Sequence, residues 1–446
     1  MEIQMTSWSP VNPPSLLALI PLLVYIVLMF RGKGNITGLL AGIGIAVIMM
    51  GIDLKTLAQV FQDALGSTTA MVGLIILAGS GLGLLMNRAG ITQTLVYWIV
   101  KIVGVNTPNK AKFSLIISSI IICGLLGTLG GGNAIIAPIL LPIMASLAVP
   151  PTVVGVLFKT AGEIGLMVGP LTGVTLITME VTGLNYGQLM LYAVIPFSIV
   201  WLIGTWIGTK RIEKDLIGKE DYHLDADIPN IDAIHLSDEQ KRSTIIFLIG
   251  FLALVVYGVL SKQGTNYAFL VMVLLALLVT VVSRMNADES IGLMVKGMAS
   301  QFEMMVIFIC LEVLLTLVSA GGGFDALGNW LGSLAAHAGS FGVYIVASLV
   351  GGFGIEAAAV AEIKIIYDMF GQLAMNVGLP MSVFATCILA ATRLTGSMYP
   401  TSNFAGQMGI AHSSNTKDGL RALWISVGLV WAWVVVWGLV GPMLFN

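Results

Sequence analysis

The chain has 446 residues, of which 57% are hydrophobic and only 10% are charged, and its formal net charge is -2. Soluble globular proteins carry about 25% charged residues, so the composition excludes a soluble domain and predicts an integral membrane protein that contacts the lipid bilayer. The absence of a basic excess argues against a nucleic-acid partner. The first apolar run, 16–29, lacks a basic flank and a small-residue cleavage site, and it predicts a membrane span rather than a signal peptide.

Eight apolar runs approach the ~20 residues that cross a bilayer as a helix. In chain order they lie at 14–30, 36–52, 69–87, 187–209, 243–261, 265–284, 303–319 and 419–441. The last four repeat the first four after 229 to 234 positions, which indicates an internal repeat. We therefore predict two halves, 1–209 and 243–446, joined by a charged linker at 210–242.

Between the third and last runs of each half, apolar stretches are interrupted by glycine, proline and threonine. The stretches 112–148 and 342–376 predict re-entrant hairpins, because their arms are short and meet at a Gly-rich tip. The stretches 152–180 and 380–410 predict broken helices. Interrupted segments at matching places in two halves point to the binding site of a transporter.

Basic residues collect on the cytoplasmic side of membrane proteins. Most of the 21 lysines and arginines lie inside if the N-terminus is outside and each half crosses the membrane five times. An odd number of crossings inverts the second half. The predicted fold class is an all-α polytopic membrane protein with two inverted repeats of five transmembrane helices, each with a re-entrant hairpin and a broken helix. We expect a bacterial-type inner membrane, with the linker inside and the C-terminus outside.

Helix ends inside a membrane leave backbone groups that can bind an ion or a carboxylate. Small polar side chains and one glycine at these breaks predict a substrate site: Thr128, Gly132, Asn133, Thr172, Ser397, Thr401, Ser402 and Asn403. The same residue types also mediate close helix packing in membranes. Packing therefore stays the alternative for each of them.

Charged residues at membrane depth are functional hypotheses by default. Arg393, seven positions before Pro400, is the predicted partner of a substrate carboxylate, and a structural ion pair is the alternative. Glu163 is its repeat equivalent and lies one turn after Lys159, so it predicts either a neutralising pair or a coupling-ion carrier. Glu356, at the second hairpin tip, is the other predicted coupling residue. Glu303, Glu312, Glu362 and Asp368 are further membrane carboxylates among the candidates for coupling.

No enzyme signature occurs: the chain has no HExxH, Walker or GxSxG pattern. The three cysteines lie in apolar segments without metal-ligand spacing. We expect no enzyme activity and no cofactor, apart from Na⁺ or H⁺ as a coupling ion.

The layout and two short motifs resemble the ion transporter superfamily of secondary carriers, nearest to the lactate/glycolate and gluconate permease groups. The motifs are Thr-Gly-Val at 172–174 followed by Glu-Val-Thr-Gly at 180–183, and Thr-Arg-Leu-Thr-Gly-Ser-Met-Tyr-Pro-Thr-Ser at 392–402. The resemblance implies a homodimer of carriers, each moving a small organic acid with protons or sodium.

The sequence thus predicts proton- or sodium-coupled symport of a small organic anion, such as a hydroxy or keto acid. The membrane carboxylates would also suit a sodium/proton antiporter. An acidic and a basic side chain at the same depth in the membrane would suit an amino-acid carrier. A channel or a non-transporting receptor is the alternative from outside the carriers, but paired broken helices favour alternating access.

Overall fold

The computed structural model describes residues 3, 5–6, 8–222, 236–354 and 359–445, with the backbone alone at 332–338. Within these residues the chain is helical and has no strand. In the first half the helices are α1 (Ile20–Phe30), α2 (Asn35–Met50), α3 (Leu54–Leu65), α4 (Thr68–Arg88), α5 (Ile91–Val103), α6 (Pro108–Leu126), α7 (Leu129–Ser146), α8 (Pro151–Val168), α9 (Gly173–Thr182), α10 (Tyr186–Leu189) and α11 (Ile195–Leu216). A π-helical turn joins the last two.

The second half contains ten helices in its described residues. They are α12 (Asp238–Leu260), α13 (Thr265–Val282), α14 (Ala287–Ala299), α15 (Phe302–Ala320), α16 (Gly323–Gly354), α17 (Ala359–Asn376), α18 (Met381–Arg393), α19 (Thr395–Met398), α20 (Ser402–Ile410) and α21 (Thr416–Phe445). Gly339 divides α16 with a positive φ of 62°. The part after Gly339 covers the first arm of the predicted second hairpin.

Nine helical segments of the described chain are long and apolar enough to cross a membrane. The prediction of an all-helical polytopic membrane protein is therefore confirmed. Two of the predicted spans, Leu16–Phe30 and Asn35–Met50, are too short to be among these nine segments. The second ends where Gly51 adopts a left-handed conformation at φ 63°, and its 16 residues cover about 24 Å at ~1.5 Å per residue.

The helices on either side of the predicted linker extend into it. The helix α11 continues to Leu216 and α12 begins at Asp238, where Ser237 and Gln240 form a capping box. The division into two inverted halves, with their hairpins and linker, stays a prediction, because it depends on how each helix is oriented in the bilayer.

Helices of the two halves interlock rather than forming separate bodies. Helix α4 packs on α13, α14 and α15, and α11 lies along α21. Glycines permit this close approach: a Cβ atom at Gly204 would lie 2.6 Å from the Cα of Ser426, and one at Gly208 would meet the backbone of Ala422. Helix α8 is thereby held between α6, α11 and the second-half helices α20 and α21.

Candidate functional site

A buried charge cluster lies between the two broken helices. On α8, Nζ of Lys159 is 3.4 Å from Oε1 of Glu163, and on α18, Nη1 of Arg393 is 3.6 Å from Oε2 of the same carboxylate. The three side chains are 0%, 5% and 3% exposed. One carboxylate is therefore shared by a lysine and an arginine from different halves of the chain.

Three further residues complete the surroundings of Lys159. Its ammonium donates a hydrogen bond to the hydroxyl of Ser397, which is fully buried on α19. It also lies 4.9 Å from the ring centroid of Trp201, a cation–π distance. Glu362, buried on α17, adds a second negative charge that acts on the lysine. Helices α8, α11, α18 and α19 thus converge on this point, and α17 lies near enough for the charge of Glu362 to act on Lys159.

The guanidinium of Arg393 is only partly matched by its neighbours. Its Nε donates to Oγ1 of Thr392 over 3.3 Å, and its Nη1 faces Glu163. Its Nη2 is buried and has no hydrogen-bond partner among the described residues. A buried donor without a partner costs about 1–3 kcal/mol, and an arginine fork matches a carboxylate with two parallel bonds. This arrangement can accept an anion.

The break between α8 and α9 is closed by Thr172. Helix α8 ends at Gly169 and Pro170, and Thr172 begins α9 as its N-cap, accepting a hydrogen bond from the N–H of Thr175. The hydroxyl of Thr172 also donates to the carbonyls of Leu166 and Gly169. The side chain is 1% exposed, so the predicted site residue is buried in the break and shapes its backbone.

Asn133 joins α7 to three other helices. Its Oδ1 accepts hydrogen bonds from Ser119 over 2.6 Å and from the thiol of Cys123 over 3.4 Å. Its Nδ2 donates to the carbonyl of Phe158 over 2.9 Å and to Oε1 of Gln407 over 2.7 Å. Asn133 is fully buried, and these partners use both of its polar atoms. These contacts are the ones expected if Asn133 mediates helix packing.

The other predicted site residues divide between the breaks and the surface. Thr128 precedes α7 and is buried, and Gly132 packs on Cys123, whose sulfur would lie 2.7 Å from an added Cβ atom. Thr401 caps α20 through the N–H of Phe404.

Ser402 and Asn403 are exposed in the first turn of α20, so they lie outside the buried charge cluster. Glu356 falls outside the described residues. Of the predicted set, the structure joins Glu163, Arg393 and Ser397, with Lys159 linking the serine to the glutamate.

A second polar group lies where α4, α15 and α17 meet. Oγ1 of Thr69 donates to Glu312 over 2.7 Å, and Lys364 lies 3.7 Å from Asp368 one turn further along α17. Glu312 and Asp368 are close enough for their charges to interact. Helix α17 therefore carries charge at two places: Glu362, whose charge acts on Lys159, and the Lys364–Asp368 pair, which lies near Glu312.

Two contacting residues were not singled out from the sequence. Gln407 lies 274 positions after its partner Asn133, which differs from the repeat offset, so the repeat does not reveal it. Its one signal is a polar side chain in a short apolar helix. Trp201 lies within an apolar span and carries no signal of its own.

The family described as "Tripartite ATP-independent periplasmic transporter, DctM component" matches residues 22–405. The chain belongs to the DctM family. A DctM protein is a transporter component, which confirms the prediction that the chain is not an enzyme and confirms the coarser part of the resemblance, a secondary carrier. Nothing in the comparisons supports the lactate/glycolate or gluconate permease groups.

The fold of this DctM protein is also similar to that of a solved transporter. The YdaH transporter of Alcanivorax borkumensis aligns with a TM-score of 0.59 over 88% of this chain and 90% of that one, at 18% sequence identity. At this identity the likeness extends to the fold alone. No curated protein sequence gives a significant match.

Proposed function

We propose that this DctM protein is the membrane-embedded carrier of a secondary transport system and that it moves a small organic anion together with protons or sodium by alternating access. The observation that carries the proposal is the guanidinium of Arg393, which is buried between the broken helices and keeps Nη2 without a partner. A substrate carboxylate would bind Nη1 and Nη2 together. The ATP-independent description of the family supports an ion gradient as the energy source.

We further propose that the protein works in a bacterial-type inner membrane with the other two components of a tripartite system. The family description supports this assembly, since it names the chain as one component of three in a periplasmic transporter. The homodimer implied by the resemblance stays a prediction. So does the outside position of both termini.

The test measures ligand binding by thermal stabilisation of the purified protein. A ligand that binds the folded state raises stability by about 2.7 kcal/mol at a concentration 100 times its Kd. The panel contains small monocarboxylates, hydroxy and keto acids, dicarboxylates and amino acids, each with and without Na⁺. We expect a shift with at least one carboxylate.

The variant Arg393→Lys tests the role of the fork. It keeps the charge but replaces two parallel donors by one ammonium, so we expect affinity to fall by about tenfold or more. The matched control is Arg421→Lys, since Arg421 is exposed and lies 3.9 Å from Asp418 near one end of α21. Equal affinity in Arg393→Lys and the wild type would remove Arg393 from the site.

A rise in thermal stability with Na⁺ alone and with no organic ligand would favour the sodium/proton antiporter, for which Glu312 and Asp368 supply separate membrane carboxylates.

A further inference from the structure

We propose that Glu163 is a resident counter-anion, that a substrate carboxylate replaces it at Arg393, and that Glu163 takes up a proton in this exchange. The inference rests on the proposed function, because it assumes that the anion binds at Arg393. It assigns the coupling step to one residue and one ion.

The two ion pairs of Glu163 are long for buried contacts. They measure 3.4 Å to Lys159 and 3.6 Å to Arg393, whereas charge-assisted N–H···O bonds are about 2.7–2.9 Å. The same chain contains a tight buried pair for comparison: Lys112 and Glu213 are 2.6 Å apart. Glu163 is therefore shared between two cations and bound closely by neither.

The geometry at Arg393 favours exchange over addition. Glu163 reaches the guanidinium through one oxygen and one nitrogen, and Nη2 stays without a partner. A free carboxylate is not restricted by a helix backbone and can align both of its oxygens with the fork. It would satisfy the orphan donor and take over the contact that Glu163 makes.

The charge balance indicates why a proton accompanies the exchange. Lys159 is acted on by two buried carboxylates, those of Glu163 and Glu362, and Glu163 also pairs with Arg393. An entering anion would leave one uncompensated negative charge in a buried site, which is strongly unfavourable. One proton added to an oxygen of Glu163 restores the balance, weakens its hold on Arg393 and breaks no bond of the substrate.

Few other ionisable groups compete for this proton. On the helices packed against α8, α7 and α20 have no ionisable side chain, and the charged residues of α6, α9, α11 and α21 lie within the two turns nearest one end. The thiol of Cys123 on α6 faces Asn133, and the hydroxyl of Tyr186 donates to the end of α8 at Val168. Among the described residues, the close alternatives are Lys159 itself, which contacts Glu163, and Glu362, whose charge acts on Lys159 from α17.

The first experiment counts protons. A carboxylate that stabilises the wild type is titrated into the purified protein by calorimetry, at constant Na⁺, in buffers of different ionisation enthalpy. We expect about one proton taken up per carboxylate bound near neutral pH, and affinity that rises at least about tenfold between pH ~8 and pH ~5.5, as expected for a carboxylate that must be protonated.

Glu163→Gln imitates the protonated side chain with nearly the same shape. We expect it to bind the carboxylate with no proton uptake and with affinity that varies less than about threefold over the same pH range. The matched control is Glu213→Gln, which changes another buried lysine partner and should keep the proton uptake of the wild type. Proton uptake that persists in Glu163→Gln would transfer the role to another group such as Glu362 and overturn the inference.

Two outcomes separate this inference from the proposed function. If the wild type binds a carboxylate without proton uptake, the inference fails and the carrier function stands. If no carboxylate in the panel binds, both fail. Should Glu163→Gln not fold, Glu163→Asp keeps an ionisable group but withdraws it by one methylene, and the midpoint of the pH dependence should move by about half a unit or more. An unchanged midpoint would overturn the inference.

Discussion

Asn133 on α7 donates a hydrogen bond to Gln407 on α20 over 2.7 Å and thereby ties the first predicted hairpin to the second broken helix. Both side chains are buried, and the bond spans 274 positions of the chain. The hydrogen bonds around Asn133 form a buried network, and such a network is stabilising only while every polar atom in it has a partner. Its removal should therefore affect the folded state before it affects any ligand.

We expect Asn133→Leu to lower the free energy of unfolding by about 2–4 kcal/mol, because it leaves Ser119 and Gln407 with buried polar atoms that have lost a partner. The measurement is thermal unfolding in detergent. Asn376→Ala is the control, since Asn376 accepts a bond from Gln372 on an exposed surface. Similar melting temperatures for the two variants would show that the network adds little to stability.

A second prediction concerns Glu220, which follows α11 and binds the start of α8. Its carboxylate accepts hydrogen bonds from the backbone N–H of Thr152 over 3.1 Å, from the hydroxyl of Thr152 over 2.7 Å and from Nδ2 of Asn415 over 2.9 Å. A carboxylate at a helix N-terminus also interacts favourably with the helix dipole. We expect Glu220→Ala to cost about 1–3 kcal/mol.

Hydrogen exchange of residues 150–156 checks the prediction for Glu220. Loss of the carboxylate should increase exchange at the first turn of α8, where Thr152 loses its acceptor. Glu239→Ala serves as the control, because Glu239 is an exposed residue in the first turn of α12. Unchanged exchange at α8 in the Glu220 variant would contradict a holding role.

A third prediction tests the close approach of α11 and α21. Gly208→Ala places a Cβ atom against the backbone of Ala422, which cannot move without shifting the whole helix. We expect a cost of about 1–3 kcal/mol, as for other overpacked interiors. The control is Gly428→Ala on α21, where an added Cβ meets nothing within 4 Å. A melting temperature as high as that of the control would show that the helices separate without penalty.

The sequence predicts helices and breaks well because each has a local cause. Apolar runs of span length form α4 and α15. Helix α8 ends at the Gly169–Pro170 pair, because proline has no backbone N–H to continue the hydrogen bonds of the helix. The proximity of Arg393 and Glu163 could also be predicted from the sequence. The two occupy equivalent positions 230 residues apart, and a structural pair with a membrane carboxylate was one of the alternatives for Arg393.

Other contacts depend on three-dimensional packing and cannot be read from periodicity. Ser397 reaches Lys159 because the one-turn helix α19 interrupts the second break, and the first break between Val168 and Gly173 has no such helix. Thr172 and Asn133 carry the predicted residue types, yet their polar atoms are directed toward backbone and side-chain partners within the protein. Residue type at a break indicates a polar environment, but the direction of each side chain is set by the neighbouring helices.

The last prediction uses the tight pair of Lys112 and Glu213 as a double-mutant cycle. Lys112 is 1% exposed, and its ammonium also lies 5.0 Å from the ring centroid of Trp206. Removal of one partner of a buried pair leaves an uncompensated charge, so Lys112→Met alone should cost about 3–5 kcal/mol. The double variant Lys112→Met, Glu213→Leu should recover most of this loss, because apolar residues of similar volume replace a buried pair at little cost.

Thermal unfolding of the wild type, both single variants and the double variant gives the coupling energy. Additive losses would mean that the two side chains stabilise the fold independently, through the tryptophan contact and local packing, rather than through their ion pair.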